Sequence, residues 1–216
     1  MVEAVQRAVG RPRSLSDERV AEAVIACGFL DLRAPAVAAR LGVNPATLYR
    51  HAAGHEQLVD IAVTHLVNAT TWPSMDDGWR DFLERTTWTL WDVVRAHPGL
   101  ASASPTVGMT NRALMRLFNR VCLDLIAAGF STPDAGLATD LVIDLAIDSL
   151  HMREVLAAHS SETPTIDAWH EHFDGELRAV MHDAMHGDPS AWFARKLSVT
   201  LDGIEHVLAA GIAPAD

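Results

Sequence analysis

Apolar residues recur along the chain at three- and four-residue spacing, which is the period of an amphipathic α-helix. Glycine, proline and capping side chains divide this pattern into segments. Downstream of residue 70 we expect helices at about 76–96, 110–128, 133–158, 165–186 and 189–210. Two starts are marked by Thr132-Pro133 and Asp188-Pro189, because a capping side chain followed by proline suits the first turn of a helix. The pattern predicts an all-α protein.

Four further helices are expected within residues 14–69. The first begins after Ser16, whose hydroxyl can cap it, and ends at Gly28. The second covers residues 34–41 and ends at Gly42. The third begins after Asn44, has Pro45 at its first helical position and reaches residue 51, and a longer fourth helix begins near residue 55. The helices at this end of the chain are therefore short and well marked.

The second and third of these helices form the pattern of a helix-turn-helix DNA-binding unit. Gly42 permits the left-handed backbone of the tight turn between them. Leu41, Val43 and Leu48 are the apolar residues expected to fix the angle at which the two helices cross. With Leu48 turned inward, the opposite face of the third helix is presented to a DNA groove.

That outward face has suitable chemistry for DNA. Thr47 offers a hydroxyl and a methyl group to base edges, and Arg50 can fork onto a guanine. Tyr49 and the free amides at the helix N-terminus suit phosphates. The predicted DNA-binding residues are Arg11, Arg13, Arg33, Asn44, Pro45, Ala46, Thr47, Tyr49, Arg50, His51 and His55.

The charge distribution separates this region from the remainder. The net charge is -11, yet residues 1–60 hold seven arginines and seven acidic residues, so the excess acid lies in residues 61–216. Arg11 and Arg13 lie in a basic arm that either enters a narrow minor groove or is a disordered, solvated tail. We expect a flexible arm (1–13), a helix-turn-helix domain (14–53) and a larger helical domain for ligand binding and dimerisation (54–216).

Residues 38–51, AARLGVNPATLYRH, closely resemble the signature of the TetR (tetracycline-repressor-like) family, and the similarity extends over about 14–66. Residues 193–208 are similar in character to the family's last helix, which usually pairs two subunits. The resemblance implies a homodimer with one recognition helix per subunit and a small-molecule pocket in the C-terminal helical domain. Such a dimer would read a near-palindromic double-stranded DNA operator, and we expect a repressor that a small-molecule effector releases. The composition leads us to expect a cytoplasmic protein.

The sequence departs from the family pattern at three positions. Ala52 stands where the family usually has Phe, His55 where it usually has Lys, and Arg33 where Ser or Thr usually caps the second helix. The change at Ala52 removes packing beneath the recognition helix. His55 can replace the habitual phosphate contact of Lys only when it is protonated, and Arg33 supplies a positive charge nearby.

The residues expected to bind the effector lie on the helices downstream of residue 70. Trp79, Trp88 and Trp91 crowd one helix, where they fill the core or line a pocket that would favour flat, apolar ligands. Asp140, Asp144, Asp148 and His151 form a polar stripe on an apolar helix, which is either a solvent face or the polar side of a pocket. The predicted ligand-binding residues are Trp88, Trp91, Met115, Phe118, Asp148 and His151.

The apolar face of the last helix allows two interpretations. Its residues either complete the core of their own chain or pair in part with residues 133–158 and their two-fold mates across a dimer seam. The residues of this face are Phe193, Leu197, Thr200, Leu201, Ile204 and Leu208.

Other functions have weaker sequence support. Three Asp/His pairs at i,i+3 spacing resemble metal ligands of helical bundles, but eleven histidines and 28 acidic residues make such pairs common by chance. No Gly-rich phosphate loop or Gly-x-Ser-x-Gly elbow indicates an enzyme, and no cofactor, metal or membrane contact is expected. The alternatives to a regulator are a helical-bundle enzyme or metal carrier, and a helical interaction protein without DNA binding.

Overall fold

The computed structural model describes residues 15–103, 107–159 and 172–210, which form α-helices and no strand. The prediction of an all-α chain is confirmed for these ranges. None of the helices there combines the length and apolar character that crossing a bilayer requires. The helices are α1 (Asp17–Cys27), α2 (Ala34–Leu41), α3 (Pro45–His51), α4 (His55–Ala69), α5 (Trp79–Arg95), α6 (Leu100–Ala103), α7 (Val107–Thr110), α8 (Arg112–Ala127), α9 (Thr132–His159), α10 (Gly175–His186) and α11 (Pro189–Ala210).

The structure differs from the predicted helices at two places. The short helices α6 and α7 were not predicted, because single turns are too brief to show a period. The helix expected at 165–186 begins only at Gly175, after Asp174 in an extended conformation. Residues 172–174 are not helical, and 165–171 lie outside the described residues.

Helices α1 to α4 enclose the N-terminal core. Ser16 caps α1 as predicted, since its Oγ accepts a hydrogen bond from the backbone N–H of Arg19 at 3.4 Å. Gly42 turns the chain between α2 and α3 with φ 68° and ψ 30°, in the left-handed region that favours glycine. The buried members include Val20, Val24, Phe29, Val37, Ala38, Leu48, Leu58, Val59 and Ala62. The predicted helix-turn-helix is therefore present, with α4 packed across α1.

Helices α5, α8, α9 and α11 enclose a second, C-terminal core. The rings of Trp91 and Phe193 stack at its centre, with centroids 3.9 Å apart and planes inclined by 15°. Trp88 meets Phe193 edge-on at 4.8 Å. Aliphatic side chains of α8, α9 and α11 surround this aromatic group, including Leu117, Val121, Leu125, Val142, Leu150, Leu197 and Leu201.

The apolar face of α11 is used largely within its own chain. Phe193, Leu197, Leu201 and Ile204 are all buried in the C-terminal core. Of the two interpretations of this face, the completion of the protein's own core accounts for these four residues. A dimer seam on α11 must therefore be formed by its other residues.

A buried asparagine joins the two cores. Asn111 is fully buried, and its Nδ2 donates to the backbone oxygen of Asp60 at 3.1 Å and to Oγ1 of Thr64 at 2.8 Å. Its Oδ1 accepts from the backbone N–H groups of Ala113 and Leu114, both at 3.0 Å, which caps α8. One side chain thus fixes the start of α8 against the middle of α4.

Gly99 forms a second contact between the two parts of the chain. Its φ is 88°, and a Cβ at this position would lie 2.5 Å from the backbone nitrogen of Leu30, in the turn after α1. No other residue type fits this approach, because both the backbone angle and the space demand glycine. The turn before α6 is therefore held directly against the N-terminal unit.

We predict that Gly99→Ala lowers the free energy of unfolding by at least about 1 kcal/mol, since either Leu30 or the α5–α6 turn must shift. The matched control is Gly136→Ala, because Gly136 lies within α9 with no atom near its missing Cβ. That substitution should leave stability unchanged or raise it by up to about 1 kcal/mol through helix propensity. Urea unfolding measures both changes, and equal midpoints for Gly99→Ala and the wild type would contradict the close approach.

Candidate DNA-binding surface and candidate ligand cavity

The recognition helix α3 is fixed at its start and on its inner face. Asn44 caps it as predicted, with Oδ1 accepting from the backbone N–H of Ala46 at 2.9 Å. Pro45 occupies the first helical position, and Leu48 is fully buried in the N-terminal core. These contacts fix the rotation of α3 about its axis, so the opposite face is presented to solvent.

That outward face carries the predicted base-reading pair. Pro45, Ala46, Tyr49 and Arg50 are exposed, and Thr47 is partly exposed. The guanidinium of Arg50 donates from Nη2 to Oγ1 of Thr47 at 3.1 Å. The two side chains that can contact bases are therefore adjacent, and this face of α3 carries no carboxylate.

The two histidines predicted to contact DNA are engaged elsewhere. His51 Nε2 lies 2.7 Å from Oδ1 of Asp17, which ties the end of α3 to the start of α1. His55 Nε2 lies 3.0 Å from the backbone oxygen of Ala103, at the end of α6. The DNA contact expected of His55 stays a prediction, and in this structure its Nε2 meets a carbonyl of the neighbouring helix.

The remaining predicted DNA contacts, Arg11, Arg13 and Arg33, precede α2 in the sequence. Arg33 is exposed and precedes α2 without capping it through its side chain. It lines an open cavity of about 340 Å³ together with His55 and the turn after α1. Arg11 and Arg13 lie outside the described residues.

A larger cavity of about 410 Å³ lies between the two cores. Met115, Phe118, Asp148 and His151 line it, in agreement with their predicted grouping. The other lining residues are Val59, Val63, Leu66, Val67, Leu90, Val93, Val94, Leu100, Ala101, Val107, Leu114, Leu117, Asp140, Ile143, Asp144 and Ile147. They come from α4 to α9, so this space touches both the N-terminal unit and the C-terminal helices.

Trp88 and Trp91 do not line this cavity. Both pack on Phe193 in the C-terminal core, where Trp91 is 1% exposed. Their expected role as ligand contacts is therefore corrected to a role in core packing. The reason is that α5 presents Leu90, Val93 and Val94 to the cavity and turns Trp88 and Trp91 toward Phe193 of α11, while Trp79 packs on Phe130.

The polar stripe of α9 faces the cavity. Asp140, Asp144, Asp148 and His151 all border the cavity, yet the three carboxylates are exposed to solvent, so the stripe forms the open rim of the cavity. Partial burial raises the pKa of Asp144 above its ordinary value, and the neighbouring carboxylates of Asp140 and Asp148 raise it further. Within the described ranges, no three histidine, cysteine or acidic side chains converge closely enough to hold a metal ion.

A hydrogen-bond chain connects this cavity to α6. The hydroxyl of Ser102 donates to Oε2 of Glu154 at 2.6 Å, and its oxygen lies 2.9 Å from Nδ1 of His151. Since the single hydroxyl proton goes to the carboxylate, Nδ1–H of His151 is the donor to Ser102. Oε1 of Glu154 accepts from the backbone N–H of Gly99 at 2.6 Å. Sequence reasoning missed Ser102 and Glu154, because no local pattern brings residues fifty positions apart together.

The chain was compared with known proteins. No protein-family model and no curated protein matches the sequence. Among solved structures, a possible TetR-family transcriptional regulator from Streptomyces coelicolor A3(2) superposes with a TM-score of 0.74 at 20% identity, covering 89% of this chain and 100% of that one. ActR, a TetR-family protein from Streptomyces coelicolor in complex with actinorhodin, gives 0.69 at 17% identity, covering 94% and 100%.

A third similar structure is a TetR variant from Acinetobacter baumannii AYE in complex with minocycline. Its TM-score is 0.66 at 19% identity, covering 90% of this chain and 98% of that one. All three similarities extend over both the helix-turn-helix and the C-terminal helices. The chain therefore has the fold of the TetR-family transcriptional regulators.

Proposed function

We propose that the protein is a DNA-binding transcriptional regulator of the TetR family, a repressor released from its operator by a small molecule. The observation that carries this proposal is the capped, exposed face of α3, on which Arg50 and Thr47 lie side by side. The DNA-binding unit comprises residues 14–53, and 54–216 bind the ligand and a second subunit. Two structures of the same fold hold small molecules, actinorhodin in ActR and minocycline in the TetR variant.

The operator contacts are tested with DNA from upstream of the protein's own gene. We expect Arg50→Ala to weaken binding by about 1–3 kcal/mol and to relax base preference at one position, because Arg50 forks onto a guanine. Tyr49→Phe should weaken binding to all sequences about equally, since it loses a phosphate contact. Gel-shift titrations against the operator and single-base variants of it measure both effects.

The matched control for these titrations is Arg178→Ala, which removes an exposed arginine of α10. It should bind the operator as the wild type does. Equal operator affinity for Arg50→Ala, Tyr49→Phe and the wild type would refute the role of α3.

We further propose a homodimer, which places two α3 helices about 34–36 Å apart on a near-palindromic operator. Leu137 of α9 is 54% exposed and Val199 of α11 is 67% exposed, and a seam between these helices would cover both. Sedimentation equilibrium should give a dimer at micromolar concentration, and Val199→Glu should shift it toward monomer. Leu123→Glu, on the exposed side of α8, is the matched control and should leave the dimer intact.

A two-state change accounts for release by a ligand. The ligand needs only to bind more tightly to a conformation in which the two recognition helices are differently spaced. The path that we propose runs from the cavity wall through His151 and Ser102 to α6, and from the Ala103 carbonyl to His55 at the start of α4. Movement of α6 thereby changes the support of the N-terminal unit.

This path can be tested without a ligand. In Ser102→Ala, α6 loses its side-chain bonds to α9, so amide exchange should become several-fold faster both in residues 99–103 and in the first turn of α4. Thr89→Ala is the matched control, because the Thr89 hydroxyl bonds only within α5. Hydrogen exchange measured by mass spectrometry reports both regions, and faster exchange confined to residues 99–103 would contradict the path.

A further inference from the structure

We propose that the cavity between the two cores takes an organic cation, namely a largely apolar molecule that carries a protonated amine. The inference rests on the proposed function, since it names the ligand class of the same site. The cavity volume of about 410 Å³ lies within the range of about 300–1,000 Å³ that small-molecule sites occupy.

The distribution of polar groups in the cavity gives the first argument. Among the described residues that line it, the polar side chains are Asp140, Asp144, Asp148 and His151, which all come from α9 and form one wall. The other described lining residues are aliphatic, aromatic or methionine, and none of them is a lysine or arginine. A ligand that matches this space is apolar on most of its surface and polar at one side.

The charge of that wall gives the second argument. Asp140, Asp144 and Asp148 follow one another at i,i+4 spacing, so their carboxylates lie together on the solvent-exposed rim of the cavity and repel each other. No ion pair between any of them and a basic side chain occurs in the described part of the chain. By contrast, Asp202 and Glu205 on α11 are both paired with Arg80.

The raised pKa of Asp144 is consistent with this arrangement, because it reflects partial burial together with repulsion from both neighbours. A positive charge beside Asp144 would relieve the repulsion, an anion would add to it, and a neutral molecule would leave it unchanged. A bare metal ion does not fit, since no three ligating groups converge in the described residues. A molecule with an ammonium group on an apolar body complements both the acidic side chains of α9 and the apolar residues of the other walls.

The experiment uses three dansyl probes that differ only at the end of a five-carbon chain. Dansylcadaverine ends in an ammonium group, N-hexyl dansylamide in a methyl group and dansyl-aminohexanoate in a carboxylate. Dansyl fluorescence rises in apolar surroundings, so titration of the full-length protein gives three dissociation constants. We expect the ammonium probe to bind at least about ten-fold more tightly than the neutral probe, and the carboxylate probe to bind most weakly.

Substitutions on α9 test whether its carboxylates cause the tighter binding of the ammonium probe. In Asp144→Asn and in Asp148→Asn the advantage of the ammonium probe should fall by about three-fold or more, whereas the neutral probe should keep its affinity and so report an intact cavity. Asp92→Asn is the matched control, since Asp92 is an exposed acid of α5 that does not line the cavity. It should retain the full preference of the wild type.

Three results would overturn the inference. They are equal affinity of the ammonium and neutral probes for the wild type, an undiminished preference in both α9 variants, and no binding of any probe. An operator gel shift on the same preparations separates these results from failure of the proposed function. Operator binding with no preference for the cation overturns only the ligand class, whereas loss of operator binding by the wild type overturns the regulator itself.

Discussion

The structure depends on the sharing of α4 between two hydrophobic cores. Leu58, Val59 and Ala62 are buried against α1 in the N-terminal core, while Val67 packs against both cores. Val59 also lies on the wall of the large cavity, so a single helix touches both the support of α3 and the space proposed for a ligand. Because packed interiors resist gradual deformation, a shift of α4 moves the recognition helix as part of one rigid unit.

Buried polar contacts fix the position of this shared helix more specifically than apolar packing does. Asn111 bonds to α4 and caps α8 at the same time, and leaving any of its groups unpaired would cost about 1–3 kcal/mol. The hydrogen bond from His55 to the Ala103 carbonyl is exposed, and it therefore costs less to break. The contact between the two parts of the chain thus combines a buried group of hydrogen bonds at Asn111 with an exposed bond at His55 that costs less to break.

The features that the sequence predicts well are those with a local cause. Ser16, Gly42, Asn44 and Pro45 act on their own helix ends, so capping rules place the helix-turn-helix within a residue or two. The orientation of the Trp91 side chain has a different cause, because it is set by the packing of α5 against Phe193 of α11. The same holds for His55, whose partner lies 48 residues away. Helical period can place such side chains on a helix face but cannot name what lies opposite.

The acidic residues are distributed unevenly between the two parts of the chain. Residues 1–60 are balanced in charge, so α3 presents Arg50 without a nearby carboxylate on its own face, whereas the excess acid lies beyond residue 60. Some of the acidic residues beyond residue 60 are neutralised by a neighbouring base. Asp81, for example, forms an ion pair with Arg85 one turn later. Asp140, Asp144 and Asp148 are exposed as well, but they border a space whose other described lining residues, apart from His151, are apolar. Like charges at the edge of an apolar space repel one another, and in the proposed complex the positive charge of the ligand relieves that repulsion.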